Sequence, residues 1–585
     1  METIPGLFLS LVAQDPERVL VHTPDGQDDG VWRWRGWPLK EIHQQISGLS
    51  RRLYSLGVST GTPVAILAET SHEWMAIDLA VLCLGGVTVG IYPSLPGPRV
   101  VEQLAHSEAR ILVVGDAGLY QKIAPLLDEL YDLMHVFSIA PVEGIPQLHP
   151  AESDTRFLGA RAGQVRPSDP AAVVYTSGTT GKARGVVLTH RNLADTARAS
   201  REVLPLQAGD RSILYLPMAH ILQRIIGYRG LMEGAEGYFA PSIDALPDLL
   251  VQTQPTVLPV VPRVLEKIMA RAEATAAARG PVSVAVLRWA IAVGGSAAAS
   301  ECAGRRVPRR VRWQRPLAER LEYQTIRARL GGALRLVVSG GAPLSPSVQA
   351  WFEAIGVSVR EGWGLTETSG PVTLNPVVAY RPGSVGVALP GSSVDVSADG
   401  ELLVRGPGVF AGYLNDDAAT QAAFTPAGFF RTGDLGMIDD DGYVWIMGRR
   451  KEILVTAGGK NVPPVPVERQ LEASPLIERA ILVGDRRPYL CVLLALDEEV
   501  LAARAAVGSW PGDVAVWRTR QSVRASVQQH IDAINGTVAS HETIKAFAFL
   551  PRPLTEEGRE LTPTLKLRRA LIAKKYAALI DALYA

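Results

Sequence analysis

Short runs of β-branched and apolar residues, each ended by a turn residue, recur along the first part of the chain. Six such runs are 64–67, 110–116, 171–177, 211–217, 334–340 and 357–364. Segments rich in alanine, leucine and arginine, with helical spacing, lie between several of them. Strands that alternate with helices form layered sheets, and ligands bind at the carboxyl ends of their strands. The pattern therefore predicts an α/β fold with mostly parallel sheets.

The pattern changes near residue 385, where short strands and glycine turns follow one another closely and indicate a meandering β subdomain. After the charged segment 448–452, a smaller unit begins, with a helix around 465–474, two apolar strands and long helices to the end. We therefore predict a large N-terminal domain over residues 1–447 and a small α+β C-terminal domain over residues 448–585.

Composition is that of a soluble globular protein, with 47% hydrophobic and 20% charged residues. Lys+Arg and Asp+Glu both number 59, so the bulk charge does not indicate a nucleic-acid partner. Cys83, Cys302 and Cys491 form no CxxC pair, which favours a reducing compartment without disulfides. The N-terminus lacks the basic region of a signal peptide, and the longest apolar stretch, 79–93, is too short and broken to span a bilayer. We expect a cytoplasmic protein; peripheral membrane contact and oligomeric state stay open.

The segment 175–190, YTSGTTGKARGVVLTH, is dense in glycine and hydroxyl residues. Glycines let successive N–H groups converge on an anion, hydroxyls add donors, and a basic residue adds charge. It does not fit the Walker pattern GxxxxGK[ST], because Ala183 follows Lys182 and no glycine stands five positions before Gly181. By itself the segment predicts a phosphate-binding loop, with an ordinary Gly/Ser loop as the alternative.

This segment resembles the phosphate loop of the AMP-forming adenylating superfamily, which includes acyl-CoA synthetases, firefly luciferases and nonribosomal adenylation domains. Five further segments resemble motifs of that family in the same order: 361–370 (EGWGLTETSG), 401–413, 430–436 (FRTGDLG), 448–468 and 560–576. The segments 216–224, 254–268 and 336–348 resemble bacterial long-chain fatty acyl-CoA synthetases in particular. The resemblance covers nearly the whole chain.

The resemblance implies how the ATP phosphates and Mg²⁺ are bound. Arg184 would supply the basic group of the phosphate loop, Thr366 would donate to the α-phosphate, and Glu367 would ligate Mg²⁺. Thr179 is a second implied ligand of the metal. The residues implied to hold the β- and γ-phosphates are Thr176, Ser177, Gly178, Thr179, Thr180 and Gly181.

It also implies a nucleotide pocket. Trp363 would stack on adenine where the family usually has tyrosine, with loss of any contact made by the phenol. Asp434 would accept both ribose hydroxyls, and Arg449 would support it. Other implied nucleotide-binding residues are Gly341, Ala342, Glu361, Gly362 and Gly364.

In the family, a mobile C-terminal domain serves two half-reactions. Lys566 would reach the α-phosphate and the acid during adenylation only. Rotation about a hinge near Lys451 would then bring Gly458, Gly459 and Lys460 to the site, where they would line the channel for coenzyme A. His220 would lie near the acyl pocket and the reacting carboxylate, although a lone histidine beside apolar residues can also be a packed core residue.

The leading hypothesis is an ATP-dependent, AMP-forming ligase that joins a long-chain fatty acid to coenzyme A, with ATP, Mg²⁺ and a small-molecule acid as ligands. Two departures from the family pattern matter. Ala183 and Arg184 replace the usual Pro-Lys, and Gln223 stands where many long-chain enzymes have glutamate. The alternatives are the same chemistry on an aryl acid, or on nitrite for diazotisation of an aryl amine, and a degenerate member that only binds nucleotide.

Arginines are concentrated in the segment 304–315, GRRVPRRVRWQR. Most runs of like charge are solvated surface. The alternatives are contact with anionic lipid headgroups or with the phosphates of coenzyme A.

Overall fold

The central sheet of the N-terminal region has seven strands and ends at the predicted phosphate loop. The structure is a computed structural model, and it describes residues 3–177, 183–562 and 566–585. Five consecutive strands of the sheet are parallel, and the edge next to them is antiparallel. The strands, in spatial order, are Gly412–Tyr413, Ala183–Thr189, Pro170–Ser177, Val87–Ile91, Pro63–Leu67, Ile111–Val114 and His135–Ser138.

The parallel strands of this sheet are buried on both faces. Along Pro63–Leu67, Val64 and Ile66 pack into one hydrophobic core, whereas Ala65 and Leu67 pack into a second core across the sheet. Continuous apolar runs are expected where helices cover both faces of a parallel sheet. The predicted α/β layering with mostly parallel strands is confirmed.

A five-stranded sheet forms the opposite wall of the N-terminal region. Its first three strands are parallel and its last two are antiparallel. Their carboxyl ends lead into Gly341 and into the segment that contains Trp363 and Glu367. The strands, in order, are Val257–Val260, Leu336–Ser339, Ser358–Leu365, Gly370–Leu374 and Val387–Ala388.

A third sheet was not predicted from the sequence. It contains a long hairpin, Val19–Asp28 with Val31–Pro38, whose second strand alternates tryptophan with arginine or glycine. The hairpin joins Glu236–Phe239, which pairs with Arg211–Leu214. The hairpin was missed because nearly all of its residues are exposed or only partly buried, and polar residues, glycine and proline interrupt the apolar ones.

The predicted β subdomain is an antiparallel sheet of four strands. These are Ser393–Val396, Glu401–Arg405, Phe430–Ile438 and Val444–Arg449. Its register places Asp434 directly opposite Arg449. Two residues that are 15 positions apart in sequence therefore meet at one edge of the subdomain.

Helices cover the sheets of the N-terminal region. One of them, Pro281–Cys302, has a mean hydropathy of 1.6 and the length of a membrane span, but Leu287, Ala290 and Val293 on one face are buried in the protein core. The helices are Ile4–Gln14, Leu39–Ser55, His72–Cys83, Gly97–His106, Ala117–Ile123, Thr155–Ala162, His190–Val203, Ile221–Glu233, Leu246–Thr253, Pro262–Ala278, Pro281–Cys302, Arg309–Ala318, Gln324–Arg329, Pro346–Ala354 and Asp417–Ala422.

The C-terminal region folds around its own core. Strands Ile477–Val483, Leu490–Leu496 and Ile544–Phe549 form a sheet, and Leu454–Val455 pairs with Asn461–Val462. The prediction of helices alone after the second strand is wrong in one element, because Ile544–Phe549 pairs parallel to Leu490–Leu496. The helices are Pro464–Glu472, Glu498–Val507, Val514–Arg518, Gln521–Asn535, Arg569–Lys575 and Ala577–Ala582. The predicted α+β character is confirmed, while the boundary between residues 447 and 448 stays a prediction.

Candidate active site

A cavity of about 240 Å³ lies between the two regions. Its walls combine the carboxyl ends of the five-stranded sheet, the edge of the β subdomain and the start of the last helices. The predicted site residues that line it are Gly341, Ala342, Glu361, Gly362, Trp363, Gly364, Asp434, Arg449 and Lys566. The structure thus brings together residues that are more than 200 positions apart in sequence.

Asp434 is the centre of a hydrogen-bonded group at one end of this cavity. The residue is 3% exposed; its Oδ2 accepts a hydrogen bond of 2.8 Å from Trp363 Nε1, and its Oδ1 lies 2.6 Å from Arg449 Nε. Burial raises the pKa of Asp434, while Arg449, the Trp363 hydrogen bond and Lys566 oppose that rise. Each carboxylate oxygen has one partner here and so retains capacity to accept from a ribose hydroxyl.

The hydrogen bond from Trp363 was missed by sequence reasoning. Replacement of tyrosine by tryptophan was expected only to remove a hydroxyl contact. The structure shows that the indole N–H instead fixes the carboxylate of Asp434. The bond forms only because the five-stranded sheet packs against the β subdomain. A local sequence pattern does not predict which sheets pack together.

Gly364 lies in the same strand as Trp363, at a point where the backbone of Gly370 in the neighbouring strand comes very close. A Cβ atom at position 364 would lie 1.8 Å from the carbonyl oxygen of Gly370. The contact is far inside van der Waals distance and involves backbone. Glycine at this position is therefore required for the turn that carries Thr366 and Glu367.

Lys566 enters the cavity from the C-terminal region. Its backbone N–H donates to Thr562 Oγ1 at 3.0 Å, and residues 563–565 lie outside the described residues. The side chain is exposed to the solvent of the cleft. Desolvation by the cleft walls and repulsion by Arg449 lower the pKa of Lys566, whereas Asp434, Glu367 and Glu452 oppose that shift. Lys566 thus faces the same space as the predicted ribose and metal ligands.

Glu367 is held by a tyrosine that the sequence analysis did not single out. Tyr413 donates its hydroxyl to Glu367 Oε1 at 3.0 Å, and the guanidinium carbon of Arg184 lies 5.3 Å from the Tyr413 ring centroid. Thr366 begins the helical turn that contains Glu367. Tyr413 ends the motif 401–413, and this position was the only available signal of its role.

The predicted phosphate loop joins two strands of a β-hairpin. Thr176 pairs with Arg184 and Ser177 with Ala183 across the hairpin. Arg184 is therefore the second residue of the strand Ala183–Thr189 and reaches Tyr413 from it. The predicted phosphate ligands Gly178, Thr179, Thr180 and Gly181 lie outside the described residues, and so does the predicted metal ligand Thr179.

His220 caps the helix Ile221–Glu233 with its side chain. Its Nδ1 accepts from the backbone N–H of Leu222 at 3.1 Å, so the neutral ring carries its proton on Nε2. Burial, with a smaller contribution from Lys566, lowers the pKa of His220 to about 4. A neutral donor near Lys566 suits an anionic substrate, and the same residue also has a structural role as a helix cap.

Gln223 makes a structural contact that a glutamate at this position could also make. The residue is 0% exposed, and its Oε1 accepts from the backbone N–H of Leu216 at 3.2 Å. An amide oxygen and a carboxylate oxygen serve this bond equally. The departure from glutamate therefore keeps this one bond, whereas the amide Nε2 of Gln223 is buried without a hydrogen-bond partner among the described residues.

The predicted coenzyme A residues lie on a separate turn. Lys460 donates its backbone N–H to Thr456 Oγ1 at 3.2 Å, and Gly459 has φ +72 within this turn. Gly458, Gly459 and Lys460 are exposed, and none of the three lines the cavity that the described residues form. This arrangement places Lys566, and not Lys460, at the candidate site.

Arg263 links the two regions beside the cavity. It belongs to the helix Pro262–Ala278, and its guanidinium lies 2.8 Å from Glu478 and 3.5 Å from Asp497 of the C-terminal region. Its side chain is 14% exposed, so these pairs are shielded from solvent better than surface pairs. The contacts stabilise the arrangement in which Lys566 faces Asp434.

Replacement of Arg263 by glutamine is expected to slow adenylate formation about fivefold, because about 1 kcal/mol of preference for this arrangement is lost. Transfer from a preformed adenylate should be unchanged or faster. Rates of the two half-reactions, measured separately, check this. Arg271→Gln, on an exposed position of the same helix, is the control. Equal slowing of both half-reactions would contradict a role confined to this arrangement.

Two glutamates, the buried Glu361 and the partly buried Glu472, flank Arg469 in the same interface. Glu361 accepts from the backbone N–H of Leu344 at 2.9 Å, and Glu472 accepts from that of Ala480 at 3.0 Å. Burial raises the pKa of each carboxyl to about 7, opposed by Arg469 at Glu361 and by Arg479 at Glu472. Both groups favour the protonated form in the folded protein more than in the unfolded chain.

The raised pKa of Glu472 predicts a pH effect on stability. Its stabilising contribution is fully present below the unfolded value near 4.5 and is lost as the pH rises through about 7. Glu472→Gln, which mimics the protonated acid, should therefore have a higher Tm than the parent protein at pH 8 and a similar one at pH 5. Thermal melts across this range check it, with the exposed Glu499→Gln as control. A Tm difference that does not change with pH would contradict the assignment.

The donor set fits a magnesium ion shared with phosphates. Within the described residues no group of three or more His, Cys, Asp or Glu side chains could hold a metal. Glu367 supplies a single carboxylate, with Oε1 oriented by Tyr413. Mg²⁺ is commonly held by one or two carboxylates together with substrate phosphates, so this chain's residues fit that mode.

Comparison with known families identifies the class of protein. Residues 12–414 match the model of the AMP-binding enzyme family, and residues 451–585 match that of the AMP-binding enzyme C-terminal domain. The chain belongs to the AMP-binding enzyme family, and the membership in the AMP-forming superfamily predicted from its motifs is confirmed.

Individual relatives within this family are named as ligases of long-chain fatty acids. The chain is 38% identical to the long-chain-fatty-acid–CoA ligase FadD15 of Mycobacterium tuberculosis, over 95% of this chain and 93% of that protein. It is 31% identical to the long-chain-fatty-acid–CoA ligase ACSBG1 of Rattus norvegicus, over 92% and 80%. Among solved structures, the anthranilate CoA ligase AuaEII in complex with anthranoyl-AMP has a TM-score of 0.74 at 20% identity, over 100% of this chain and 98% of that one. A Mycobacterium tuberculosis fatty acyl CoA synthetase has a TM-score of 0.61 at 20% identity, with 99% of each chain covered. These two structures bear on the fold.

Proposed function

We propose that this protein is an ATP-dependent ligase that converts a long-chain fatty acid to its adenylate, releases pyrophosphate, and transfers the acyl group to coenzyme A. The observation that carries the proposal is the presence of Lys566 and Asp434 in the lining of one cavity, with Glu367 close enough to favour the charged form of Lys566. The curated relatives bear the same activity in their names. This is also the activity predicted from the motifs.

The nucleotide binds along the wall formed by the five-stranded sheet and the β subdomain. Asp434 accepts the ribose hydroxyls with the oxygen capacity that Trp363 and Arg449 leave. The ring of Trp363 stacks on adenine, and its N–H keeps Asp434 in place. Gly341, Ala342, Glu361, Gly362 and Gly364 shape the surrounding pocket.

Adenylation brings the anionic acid to the anionic α-phosphate, so the site must supply cations and donors where charge accumulates. Lys566 supplies one cation at the reacting centre. Thr366 donates to the α-phosphate, and His220 donates from Nε2 toward the acid. When bound, Mg²⁺ would be held by Glu367 and would neutralise phosphate charge. A carboxylate oxygen of the acid then bonds to the α-phosphorus as the bond to pyrophosphate breaks.

Thioester formation uses a second arrangement of the C-terminal domain. We place the domain boundary between residues 447 and 448, with the hinge near Lys451. Rotation there removes Lys566 from the site and brings in the turn of Gly458, Gly459 and Lys460 for coenzyme A. The thiol sulfur bonds to the acyl carbon, and AMP leaves.

A cytoplasmic location is consistent with the cysteines. Cys83, Cys302 and Cys491 are all free thiols. Burial raises the pKa of the Cys83 thiol to about 12, so it stays protonated and unreactive. We therefore propose that the protein works in a reducing compartment.

The proposed function is tested by AMP release across a panel of acids, with and without coenzyme A. We expect turnover with long-chain fatty acids that requires coenzyme A and yields an acyl-CoA. Turnover with an aryl acid or nitrite, without acyl-CoA from any fatty acid, would overturn the substrate assignment. Absence of ATP–pyrophosphate exchange with every acid would overturn the enzyme assignment itself.

Arg184 provides a sharper test of the phosphate loop. We expect Arg184→Ala to lower kcat/KM for ATP about tenfold or more, because a hydrogen bond to a charged group contributes about 1.5–3 kcal/mol. Arg184→Lys keeps the charge but loses the planar group over Tyr413, so a loss of about threefold or less is expected. Steady-state kinetics in ATP check both. Equal losses for alanine and lysine would show that stacking on Tyr413, rather than charge, is what matters.

A further inference from the structure

The helix Pro464–Glu472 of the C-terminal region turns one face to the cavity in which the nucleotide is proposed to bind. The residues of this helix that line the cavity are Val465, Glu468, Arg469 and Glu472. Their spacing is that of a single helix face, because residues three and four positions apart are neighbours on the helix surface. This face therefore supplies part of the cavity wall.

Both carboxylates on this face have partners within the C-terminal region. Glu468 Oε1 accepts from Arg569 Nη1 at 2.6 Å, and Glu472 Oε1 accepts from the backbone N–H of Ala480 at 3.0 Å. In the part of the chain that the structure describes, neither carboxylate forms an ion pair with Arg469.

Arg469 is the polar residue of this face that lacks a partner. Its Nε is buried without a hydrogen bond, and over residues 3–177, 183–562 and 566–585 its guanidinium makes no hydrogen bond or ion pair. Burial lowers the pKa of Arg469, opposed by the charges of Glu361 and Glu472, but a guanidinium titrates so high that it stays charged. A shielded cation without an acceptor costs free energy, so it indicates a ligand that supplies the acceptor.

Arg469 lies at the base end of the proposed nucleotide site. One of the carboxyls that stabilise its charge is Glu361, two positions before Trp363, whose ring is proposed to stack on adenine. The charge of Lys566 is instead stabilised by the proposed ribose ligand Asp434. The two cations of the C-terminal region therefore serve different ends of the nucleotide.

We propose that Arg469 donates a hydrogen bond to a ring nitrogen on the edge of adenine when ATP is bound for adenylation. The guanidinium has donors only, held in a planar fork, and the ring nitrogens of adenine are acceptors. Because Trp363 is assigned to a face of the base, the edge is left for Arg469. The inference rests on the proposed function, which supplies the nucleotide, and adds to it a residue that recognises the base.

The contact belongs to one arrangement of the enzyme. Arg469 and Lys566 both follow the hinge near Lys451, so the proposed rotation withdraws them together. The nucleotide then loses a contact to its base as the thioester forms, and this loss favours release of AMP.

The test is calorimetric binding of ATP to the full-length protein without acid, so that no turnover occurs. Three further ligands are ATP analogues in which N1, N3 or N7 of adenine is replaced by C–H. We expect Arg469→Met to weaken ATP binding about tenfold, as for loss of a hydrogen bond from a charged group. One analogue should bind the parent protein about tenfold more weakly than ATP does, yet bind Arg469→Met as tightly as ATP does.

Two further variants sharpen the test. Arg469→Lys keeps the charge and a donor, so it should weaken ATP binding less and still distinguish that analogue. The matched control is Arg504→Met, at an exposed position on the helix Glu498–Val507 of the same region. It should bind ATP and all three analogues like the parent protein.

The inference is overturned if each analogue weakens binding to the same degree in the parent protein and in Arg469→Met, which would leave Arg469 as a counter-ion of Glu361. It is also overturned if Arg469→Met raises the KM for coenzyme A, which contains adenine as well, without weakening ATP binding. A parent protein that binds no ATP would overturn the proposed function together with this inference. The calorimetry therefore distinguishes failure of the inference alone from failure of both.

Discussion

Replacement of Lys566 by alanine is expected to slow adenylate formation about 10²- to 10³-fold, because a preoriented cation at the reacting centre is lost. The side chain lines the cavity together with Asp434, and the carboxylates of Asp434 and Glu367 both favour its charged form. Transfer of the acyl group from a preformed adenylate to coenzyme A should proceed at nearly the parent rate. The two half-reactions thus separate the role of Lys566 from a general loss of folding.

Rapid-quench measurement of adenylate and of acyl-CoA checks this prediction. Lys574→Ala is the matched control, since Lys574 is exposed on the neighbouring helix Arg569–Lys575. It should leave both half-reactions unchanged. A variant of Lys566 that lost both half-reactions to the same degree would show that the lysine serves both arrangements, contrary to the proposed cycle.

Replacement of Asp434 by alanine is expected to lower kcat/KM for ATP about 100-fold, with most of the change in KM. Removal of one partner from a fully buried charged pair costs about 2–5 kcal/mol. The Arg449 side chain is 43% exposed, so the low end of that range applies here, and the ribose contact is lost as well. Arg449 would lose its carboxylate, and the Trp363 indole would lose its acceptor. Asp434→Asn should lose less, because the amide oxygen still accepts one of these bonds.

Kinetics in ATP and direct nucleotide binding by calorimetry check this second prediction. Asp440→Ala, at an exposed turn of the same subdomain, serves as control. If the alanine variant bound ATP as tightly as the parent protein, Asp434 would be a structural partner of Arg449 and not a nucleotide ligand.

The strands that could be predicted from the sequence are those in which nearly every residue is buried. Pro63–Leu67 and Ile111–Val114 are apolar throughout, so their pattern is unambiguous. The strand Val31–Pro38 was missed because none of its residues is fully buried, so its alternation of tryptophan with arginine did not mark it as part of a core sheet. The strand Ile544–Phe549 was not predicted, because Lys545 interrupts its apolar run and the strand lies beside helices. Its pairing with Leu490–Leu496 is a long-range contact, which local pattern does not encode.

The residues of the site were accessible from motifs, but their mutual contacts were not. Asp434 and Trp363 lie in different sheets, and only the packing of those sheets makes them hydrogen-bond partners. The support of Glu367 by Tyr413 has the same origin. Arg263 lies in the segment 254–268 that resembles long-chain synthetases, but its function was not predicted, because it depends on carboxylates that another region of the chain presents.

The contacts of Arg263 also limit how strongly the N-terminal and C-terminal regions can bind each other if the enzyme is to turn over rapidly. In the proposed cycle its contacts with Glu478 and Asp497 must break and form again at each turnover. A linkage that was too strong would become the slowest step, however fast the chemistry. Because Arg263 contacts two separate carboxylates, the two contacts can break one after the other. The free-energy barrier to separating the two regions is then crossed in two smaller steps. The interface is thus suited to repeated release as much as to closure.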